Sequence, residues 1–229
     1  MCHRLIPYRM LPSVVTLSPT ANKHATPAPL LFIVTQTELE EYSRFVYKVY
    51  AQNNAGDLGW EPSEAEAQSF IAEDQKYFPH SLYVGFKTIE GVLLSTLKIT
   101  HNKPQLTFPM QEEFGISVSS LADKYHTQPQ QFFHLGRLSV DKSRLASSGP
   151  GSRELFTRML YRCLFFTTWT AEGHIFAEAA EPAVHLFEQI GLPMDLVGEP
   201  TFHTGTHTYP VVIPPRVINK WLADHYHLM

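Results

Sequence analysis

Hydrophobic positions repeat along the chain with two different spacings, and the longest helical repeat lies in the second half. After Ser152, apolar residues recur every three or four positions, at Leu155, Met159, Cys163, Phe166 and Trp169. This spacing places one apolar stripe on a helix and predicts an amphipathic helix over residues 152–172. Gly173 follows where a glycine commonly ends a helix.

Extended and helical patterns alternate along the rest of the chain. Runs rich in β-branched, aromatic and other apolar residues predict strands at residues 30–34, 82–87, 92–100, 174–180 and 208–213, and a strand beginning at residue 132. Capping-box patterns predict helices starting at Thr37 and Ser63 and running to about residues 52 and 76. Further helices are predicted at residues 118–124, 181–190 and 216–225, with the rest of residues 102–130 irregular.

Composition narrows the class of protein. The chain has 229 residues, 44% of them hydrophobic, which suffices for one mixed α/β domain over residues 30–229. Five prolines interrupt residues 1–29, so this segment is interpreted as a flexible N-terminal extension without a signal peptide. An arm exchanged between subunits of a homo-oligomer is the alternative. The net charge of −4, without a basic cluster, argues against a nucleic-acid partner.

Cysteine usage and hydropathy bear on the compartment. Cys2 and Cys163 do not make a disulfide framework, and Cys163 is interpreted as a buried small hydrophobe. No later segment is long and apolar enough to cross a bilayer. The expected location is therefore the cytoplasm, with no integral membrane segment.

A turn rich in glycine and serine lies between the strand that begins at residue 132 and the helix that begins at Ser152. Its glycines are Gly149 and Gly151. Such a turn places free backbone N–H groups around one concavity at the positive end of a helix, which favours phosphate binding. The alternative is an ordinary strand-to-helix turn in which the glycines serve only backbone freedom.

The order of these elements, and the helix end Phe187-Glu188-Gln189-Ile190-Gly191-Leu192, resemble the GNAT superfamily of acyl-CoA N-acyltransferases over about residues 30 to 213. Three further segments resemble the acyl-homoserine-lactone synthases and N-acyl amino acid synthases within it. These are Phe45 to Tyr50, Leu106 to Phe114, and Gly198-Glu199-Pro200 with Tyr209 to Val212.

The resemblance implies an α/β (α+β) fold with a mixed, mostly antiparallel central sheet, helices on both faces and a splay between strands 4 and 5. It also implies transfer of an acyl chain from acyl-CoA, or from the phosphopantetheine of an acyl carrier protein, to the amino group of an amino acid or related small amine. No metal is implied. A short-chain acetyltransferase and a non-catalytic module with the same fold are the alternatives.

The resemblance also assigns the donor site. Related enzymes hold the donor with strand 4, here Leu138 and Val140, and with a basic residue and glycines before the next helix. The matching residues are Arg144, Gly149, Gly151 and Ser152. Four residues separate Arg144 from Gly149 where the family has two, and Pro150 removes one donor. The choice between coenzyme A and a carrier protein therefore stays open.

The donor's acyl chain is expected to be medium or long. Many short-chain acetyltransferases have a Tyr where Phe187 falls and an Asn where Ala180 falls, and both polar groups are missing here. Together with the aromatic-rich hairpin of residues 82–100, this favours burial of a longer apolar chain.

The catalytic assignment is less direct. Homoserine-lactone synthases have a Glu three residues before an Arg on strand 4, and the matching positions are His134 and Arg137. Histidine accepts a proton near neutral pH, so His134 is the expected general base. Strand alternation sends the two side chains to opposite faces unless a bulge at Gly136 shifts the parity. The resemblance implies such a bulge on strand 4, where it also frees a backbone N–H to polarise the thioester carbonyl. A partly buried strand histidine without catalytic function is the alternative.

Several other residues are candidates for substrate contacts. Glu178 on strand 5 is the alternative base or an anchor for an ammonium group, with a salt bridge to Arg137 as its purely structural interpretation. Arg137, Tyr47 and Trp60 are expected to contact substrate, because related enzymes admit it between the first two helices. His203 and His207 are interpreted as loop histidines rather than a metal pair.

Overall fold

The computed structural model describes residues 28–54, 59–145, 152–168, 173–203 and 205–228. The helices of this part of the chain are α1 (Leu39–Asn54), α2 (Glu64–Tyr77), α3 (Pro109–Phe114), α4 (Val118–Lys124), α5 (Lys142–Leu145), α6 (Ser152–Thr167), α7 (Glu181–Gln189) and α8 (Pro215–Asp224). The strands are β1 (Leu30–Ile33), β2 (Ser81–Lys87), β3 (Leu93–His101), β4 (Phe132–Val140), β5 (His174–Ala180), β6 (Asp195–Leu196), β7 (Thr201–His203) and β8 (Thr206–Ile213).

These strands form one sheet with the order β1-β2-β3-β4-β5-β8-β6, and β7 also pairs with β8. All pairs are antiparallel except β4 with β5. The parallel pair is short, since only residues 132–134 register with residues 174–176. Beyond this point the two strands diverge, which confirms the expected splay between strands 4 and 5.

A β-bulge interrupts β4 directly after its paired segment. Gly136 registers with Lys98 and Ser139 with Thr96, so β4 has one residue more than β3 in this interval. Arg137 has a φ of 59°, in the left-handed region, and its carbonyl accepts a hydrogen bond from Thr96 Oγ1 at 3.0 Å. The bulge lies one residue later than expected. It moves the Arg137 side chain to the sheet face that His134 occupies.

Helices cover both faces of the sheet. On one face, α6 packs its apolar stripe, including Leu155, Met159 and Cys163, on the inner residues of β2, β3 and β5. On the other face, α1 and α2 pack around Tyr42 and Tyr83, while residues of α3 and α4 pack with Phe132 and Phe176. The active-site candidates on β4 and β5 therefore lie under α1 to α3.

The local sequence patterns hold in most elements, and the structure corrects or adds to the others, among them the short helix α5. The first capping box uses Thr35 and Glu38, and a short 3-10 turn precedes α1, so the predicted cap at Thr37 is wrong. The second predicted capping box is confirmed, because Ser63 Oγ accepts a hydrogen bond from the backbone N–H of Glu66. Residues 109–114, predicted irregular, form α3 behind a proline at its first turn. The strands β6 and β7 were not predicted.

No helix in the described part of the chain has both the length and the apolarity needed to span a bilayer. Gly149 and Gly151, and the predicted helix end near residues 169–172, lie outside the described residues.

Candidate active site

The best candidate for chemistry is a buried histidine–carboxylate pair at the splay. His134 lies on β4 and Glu178 on β5, and His134 Nε2 is 2.8 Å from Glu178 Oε2. Their side chains are only 5% and 8% exposed. The sequence left open a purely structural role for Glu178, in a salt bridge with Arg137. That alternative is wrong, because the partner of Glu178 is His134.

The environment keeps Glu178 ionised. Burial favours the neutral carboxyl, but the adjacent His134 and the backbone N–H groups of Met110 and Glu178 outweigh it, so the pKa of Glu178 lies below its ordinary value. An ionised carboxylate accepts hydrogen bonds only, so His134 carries its proton on Nε2 when it is neutral. The unprotonated nitrogen is then Nδ1, which has no hydrogen-bond partner among the described residues.

Aromatic rings enclose the histidine. The Phe108 and Phe176 rings lie 4.9 Å and 5.1 Å from the imidazole, centre to centre. Phe108 in turn stacks on Tyr77, with the ring planes 2° apart. These rings exclude water from one side of the imidazole, which strengthens its electrostatic interaction with Glu178.

A second buried charge cluster lies beside this pair. Asp74 of α2 accepts from Arg137 Nε at 3.0 Å, from Ser43 at 2.8 Å and from Lys98 Nζ at 3.4 Å. Arg137 Nη2 is also 3.0 Å from Glu73 Oε2. Asp74 and Lys98 are almost fully inaccessible to solvent, at 0% and 1% exposure. This cluster joins α2 to β3 and β4.

The charges in this cluster change one another's proton affinity. Burial favours a neutral carboxyl at Asp74, but Arg137 and Lys98 outweigh it and hold the pKa of Asp74 below its ordinary value. For Lys98 burial dominates, and the pKa of its ammonium is lowered although Asp74 opposes the change.

A cavity of about 180 Å³ lies where β4 and β5 part. Polar side chains line it on the α1 and α2 side of the sheet, namely Tyr50, Asn54, Glu73, Lys98, His134, Arg137 and Glu178. Small and apolar side chains line it on the opposite side, namely Leu135, Leu138, Ala177, Ala179, Ala183, Phe187 and Met194. The cavity thus has an ionic half and an apolar half, which meet in the gap between the strands.

Gly136 lets the backbone of β4 approach the histidine closely. A Cβ atom at this position would lie 3.0 Å from His134 Cε1, 3.5 Å from His134 Nδ1 and 3.7 Å from Lys98 Cε. Any side chain there would crowd the imidazole on the side of Cε1 and Nδ1. The glycine therefore allows the backbone of β4 to pack against His134 in the wall of the cavity.

Comparison with known proteins identifies the fold. A scan of protein-family models found no match, and a search of curated proteins found no similar sequence. Solved structures do match. FeeM, an N-acyl amino acid synthase from uncultured soil microbes, superposes with a TM-score of 0.63 at 16% identity over 86% of this chain and 95% of that chain.

Two further structures extend this likeness. BjaI, a CoA-dependent acyl-homoserine lactone synthase, has a TM-score of 0.57 at 14% identity over 84% of this chain and 82% of that chain. An acetyltransferase of the GNAT family from Staphylococcus aureus Mu50 has a TM-score of 0.53 at 7% identity over 82% of this chain and 99% of that chain. The fold is that of the GNAT acyltransferases. These three solved structures are of acyl-transferring enzymes, and at these identities the likeness concerns the fold.

Within this GNAT fold, the predicted site residues fall into three groups. His134, Gly136, Arg137, Leu138 and Glu178 line the cavity at the splay. Val140 lies further along β4 and is not among the residues that line it. Ser152 begins α6, beside the expected phosphate turn.

Arg144 and the two aromatic candidates lie outside the cavity. Arg144 Nε is 3.2 Å from Asp141 Oδ2 and its Nη1 donates to the carbonyl of Leu93. Tyr47 and Trp60 both donate to Glu66, at 2.9 Å and 3.1 Å, and so hold the start of α2. Their contact with substrate stays a prediction.

Sequence reasoning missed much of the ionic half. Lys98, Glu73 and Tyr50 of this half, and Asp74 of the adjoining charge cluster, were not predicted. A lone charged residue within a predicted strand, as at Lys98, is a usable signal. Burial raises the pKa of Tyr50 to about 12, so its hydroxyl remains a donor at neutral pH. The described residues contain no cluster of three His, Cys, Asp or Glu side chains suited to a metal ion.

Proposed function

We propose that the protein is an N-acyltransferase that moves an acyl chain from a thioester donor to the amino group of an amino acid or related small amine. The observation that carries this proposal is the His134–Glu178 pair, which lines a cavity at the splay of a GNAT fold. The donor is acyl-CoA or an acylated carrier protein. Small-molecule synthases among the solved neighbours support this class of reaction.

The pair supplies a general base with a fixed orientation. Glu178 holds the Nε2–H of neutral His134, which leaves Nδ1, beside Gly136 in the wall of the cavity, with its lone pair free. There it accepts a proton from the amine while the nitrogen attacks the thioester carbonyl. The C–N bond forms, the C–S bond breaks, and the departing thiolate takes a proton from water. The ionised Glu178 stabilises the imidazolium that forms in between.

The bulge contributes to activation of the carbonyl. Arg137 and Leu138 have no register partner in β3, because the bulge takes them out of the ladder. A backbone N–H released there donates to the carbonyl oxygen of the thioester and stabilises the negative charge that develops on it.

The apolar half of the cavity receives the donor. Ala177, Ala179 and Ala183 leave room beside Phe187 and Met194, in the gap through which the pantetheine arm enters. We propose a medium or long acyl chain. A short-chain acetyltransferase is the second candidate, and the cavity volume of about 180 Å³ favours it, since sites for drug-sized ligands usually exceed about 300 Å³.

The deciding experiment measures thiol release from acyl-CoA and from acyl carrier protein with a panel of amino acids and simple amines. We expect turnover in the parent protein and a loss of about 10²-fold or more in His134→Ala at neutral pH. The loss should shrink at high pH, where the amine is already neutral. His185→Ala, an exposed histidine on α7, is the matched control and should be unaffected.

Two outcomes oppose the proposal. Absence of transfer with every thioester and amine would favour a non-catalytic binding module with this fold. An unchanged pH–rate profile in His134→Ala would remove His134 from the reaction and make Glu178 the candidate base.

A further inference from the structure

Lys98 is a buried lysine whose ammonium group has few hydrogen-bond partners. It lies on β3, is 1% exposed, and lines the ionic half of the cavity. An ammonium has three donors, yet among the described residues Lys98 makes a single hydrogen bond, to Asp74 Oδ1 at a long 3.4 Å. Its remaining surroundings are aromatic, with the Tyr77 ring centre 4.4 Å from Nζ.

The Asp74 carboxylate does not satisfy all the donors of this ammonium, because other groups also bond to it. Its carboxylate already accepts from Arg137, from Ser43 at 2.8 Å and from the Tyr83 hydroxyl at 3.2 Å. One buried carboxylate is thus shared by two cations. Glu73, the other nearby carboxylate, is 30% exposed and pairs with Arg137. A buried ammonium with unused donors costs free energy unless an anion or another acceptor completes its shell.

The position of Lys98 relative to His134 says where that anion would lie. Both side chains line the cavity next to Gly136, where a Cβ atom would stand 3.5 Å from His134 Nδ1 and 3.7 Å from Lys98 Cε. The amine and the carboxylate of an α-amino acid are attached to one carbon atom. An acceptor whose amine approaches His134 therefore has its carboxylate within reach of the neighbouring ammonium.

We infer that Lys98 binds the carboxylate of the acceptor, and that the acceptor is an α-amino acid rather than a simple amine. This rests on the proposed function and narrows its substrate class. Lys98 is here a specificity-determining residue. It distinguishes a free acid from the matching amide, because only the acid supplies a negative charge for its unused donors.

The test compares the standard L-amino acids with their primary amides as acceptors, using octanoyl-CoA and octanoyl carrier protein as donors. In the parent protein we expect kcat/KM to be at least about tenfold higher for the acid than for the amide. In Lys98→Met, KM for the acid should rise about ten- to a hundredfold with a smaller change in kcat, and the preference for the acid should vanish. Lys98→Arg keeps the charge and should restore most of the preference.

Lys87→Met is the matched control. Lys87 also makes one ion pair, with Glu38 at 2.9 Å, but lies on β2 away from the residues that line the cavity. This variant should leave the preference for the acid unchanged. Equal use of acid and amide by the parent protein would overturn the inference. So would an equal loss for both acceptors in Lys98→Met, which would indicate a role in folding or in carbonyl activation.

A binding measurement separates this inference from the proposed function. Free amino acids should raise the melting temperature of the parent protein, the amides should not, and Lys98→Met should respond to neither. That result without turnover of any thioester would leave the carboxylate site in place and reject acyl transfer. Turnover with no distinction between acid and amide, in rate or in melting temperature, would support acyl transfer and reject the carboxylate site at Lys98.

Discussion

At the scale of single residues, the main question is what Glu178 does for His134. The carboxylate is buried, ionised and bonded to Nε2, while the other imidazole nitrogen has no partner among the described residues. This is the arrangement of a base held by a second group, in which the carboxylate sets the tautomer and stabilises the imidazolium.

Glu178→Gln should therefore impair catalysis while the protein stays folded. A glutamine fills the same volume, but it lacks the charge and its NH₂ group can favour the wrong tautomer of His134. We expect kcat to fall by about 10²-fold or more, with little change in KM for the donor. Steady-state kinetics checks this, with the exposed Glu181→Gln as control. Parental kcat in Glu178→Gln would show that His134 acts alone or not at all.

At the scale of elements, Asp74 connects α2 to the sheet. Its carboxylate bonds Arg137 on β4 and Lys98 on β3, and it also accepts from Ser43 on α1. A buried ion pair of this kind adds little stability compared with an apolar contact, but removing one partner leaves the other charges uncompensated.

Asp74→Asn should thus destabilise the fold by about 3–5 kcal/mol at pH 7, measured by urea unfolding. Asp123→Asn, an exposed residue on α4, should change the free energy of unfolding by less than about 0.5 kcal/mol. A loss below about 1 kcal/mol in Asp74→Asn would mean that Arg137 and Lys98 are satisfied by other groups.

The loss of stability in Asp74→Asn should become smaller as the pH falls. The pKa of Asp74 is lower in the folded protein than its ordinary value of 3.8, so the unfolded chain binds the proton more readily. The stabilisation by Asp74 is then fully present above that ordinary value and declines as the pH falls through the folded pKa. Since Asn does not titrate, the difference between parent and variant should narrow below about pH 4. A constant difference across the acid range would contradict the lowered pKa.

At the scale of the whole molecule, the splay decides which donor fits. The apolar half of the cavity is lined by small side chains of β5 and α7 and ends at Phe187 and Met194. Each buried methylene of an acyl chain contributes about 0.8 kcal/mol. If the chain is received there, binding should strengthen with chain length until the space is filled.

Donor preference should accordingly rise steeply from acetyl to octanoyl and palmitoyl thioesters, measured as kcat/KM with one saturating acceptor. Ala179→Leu narrows the apolar half and should reduce the preference for longer chains, with acetyl transfer as the internal control. A kcat/KM for acetyl-CoA equal to or above that of the longer donors would favour the short-chain acetyltransferase.

The sequence by itself determined most of the long helices and strands and the fold class. Periodic apolar positions at Leu155, Met159 and Cys163, and the capping box at Ser63, are local signals that need no knowledge of distant residues. The order of strands and helices, with the Gly-rich turn and the helix end at residues 187–192, was enough to expect the GNAT fold. The cap at Thr35 and the helix α3 were missed because capping patterns overlap and short helices depend on packing.

Only the tertiary structure decided which side chains of the site contact one another. Glu178 pairs with His134 rather than Arg137 because His134 registers with Phe176 at the end of the parallel pair, and Glu178 lies two residues further along β5 on the same face, at the start of the splay. The two residues are 44 positions apart in the chain. Arg137 shares a face with His134 because one extra residue in β4 reverses the alternation. Lys98 and Asp74 meet through the contact between β3 and α2. Strand register, bulges and helix packing are set by long-range contacts, which a linear pattern of residue types does not contain.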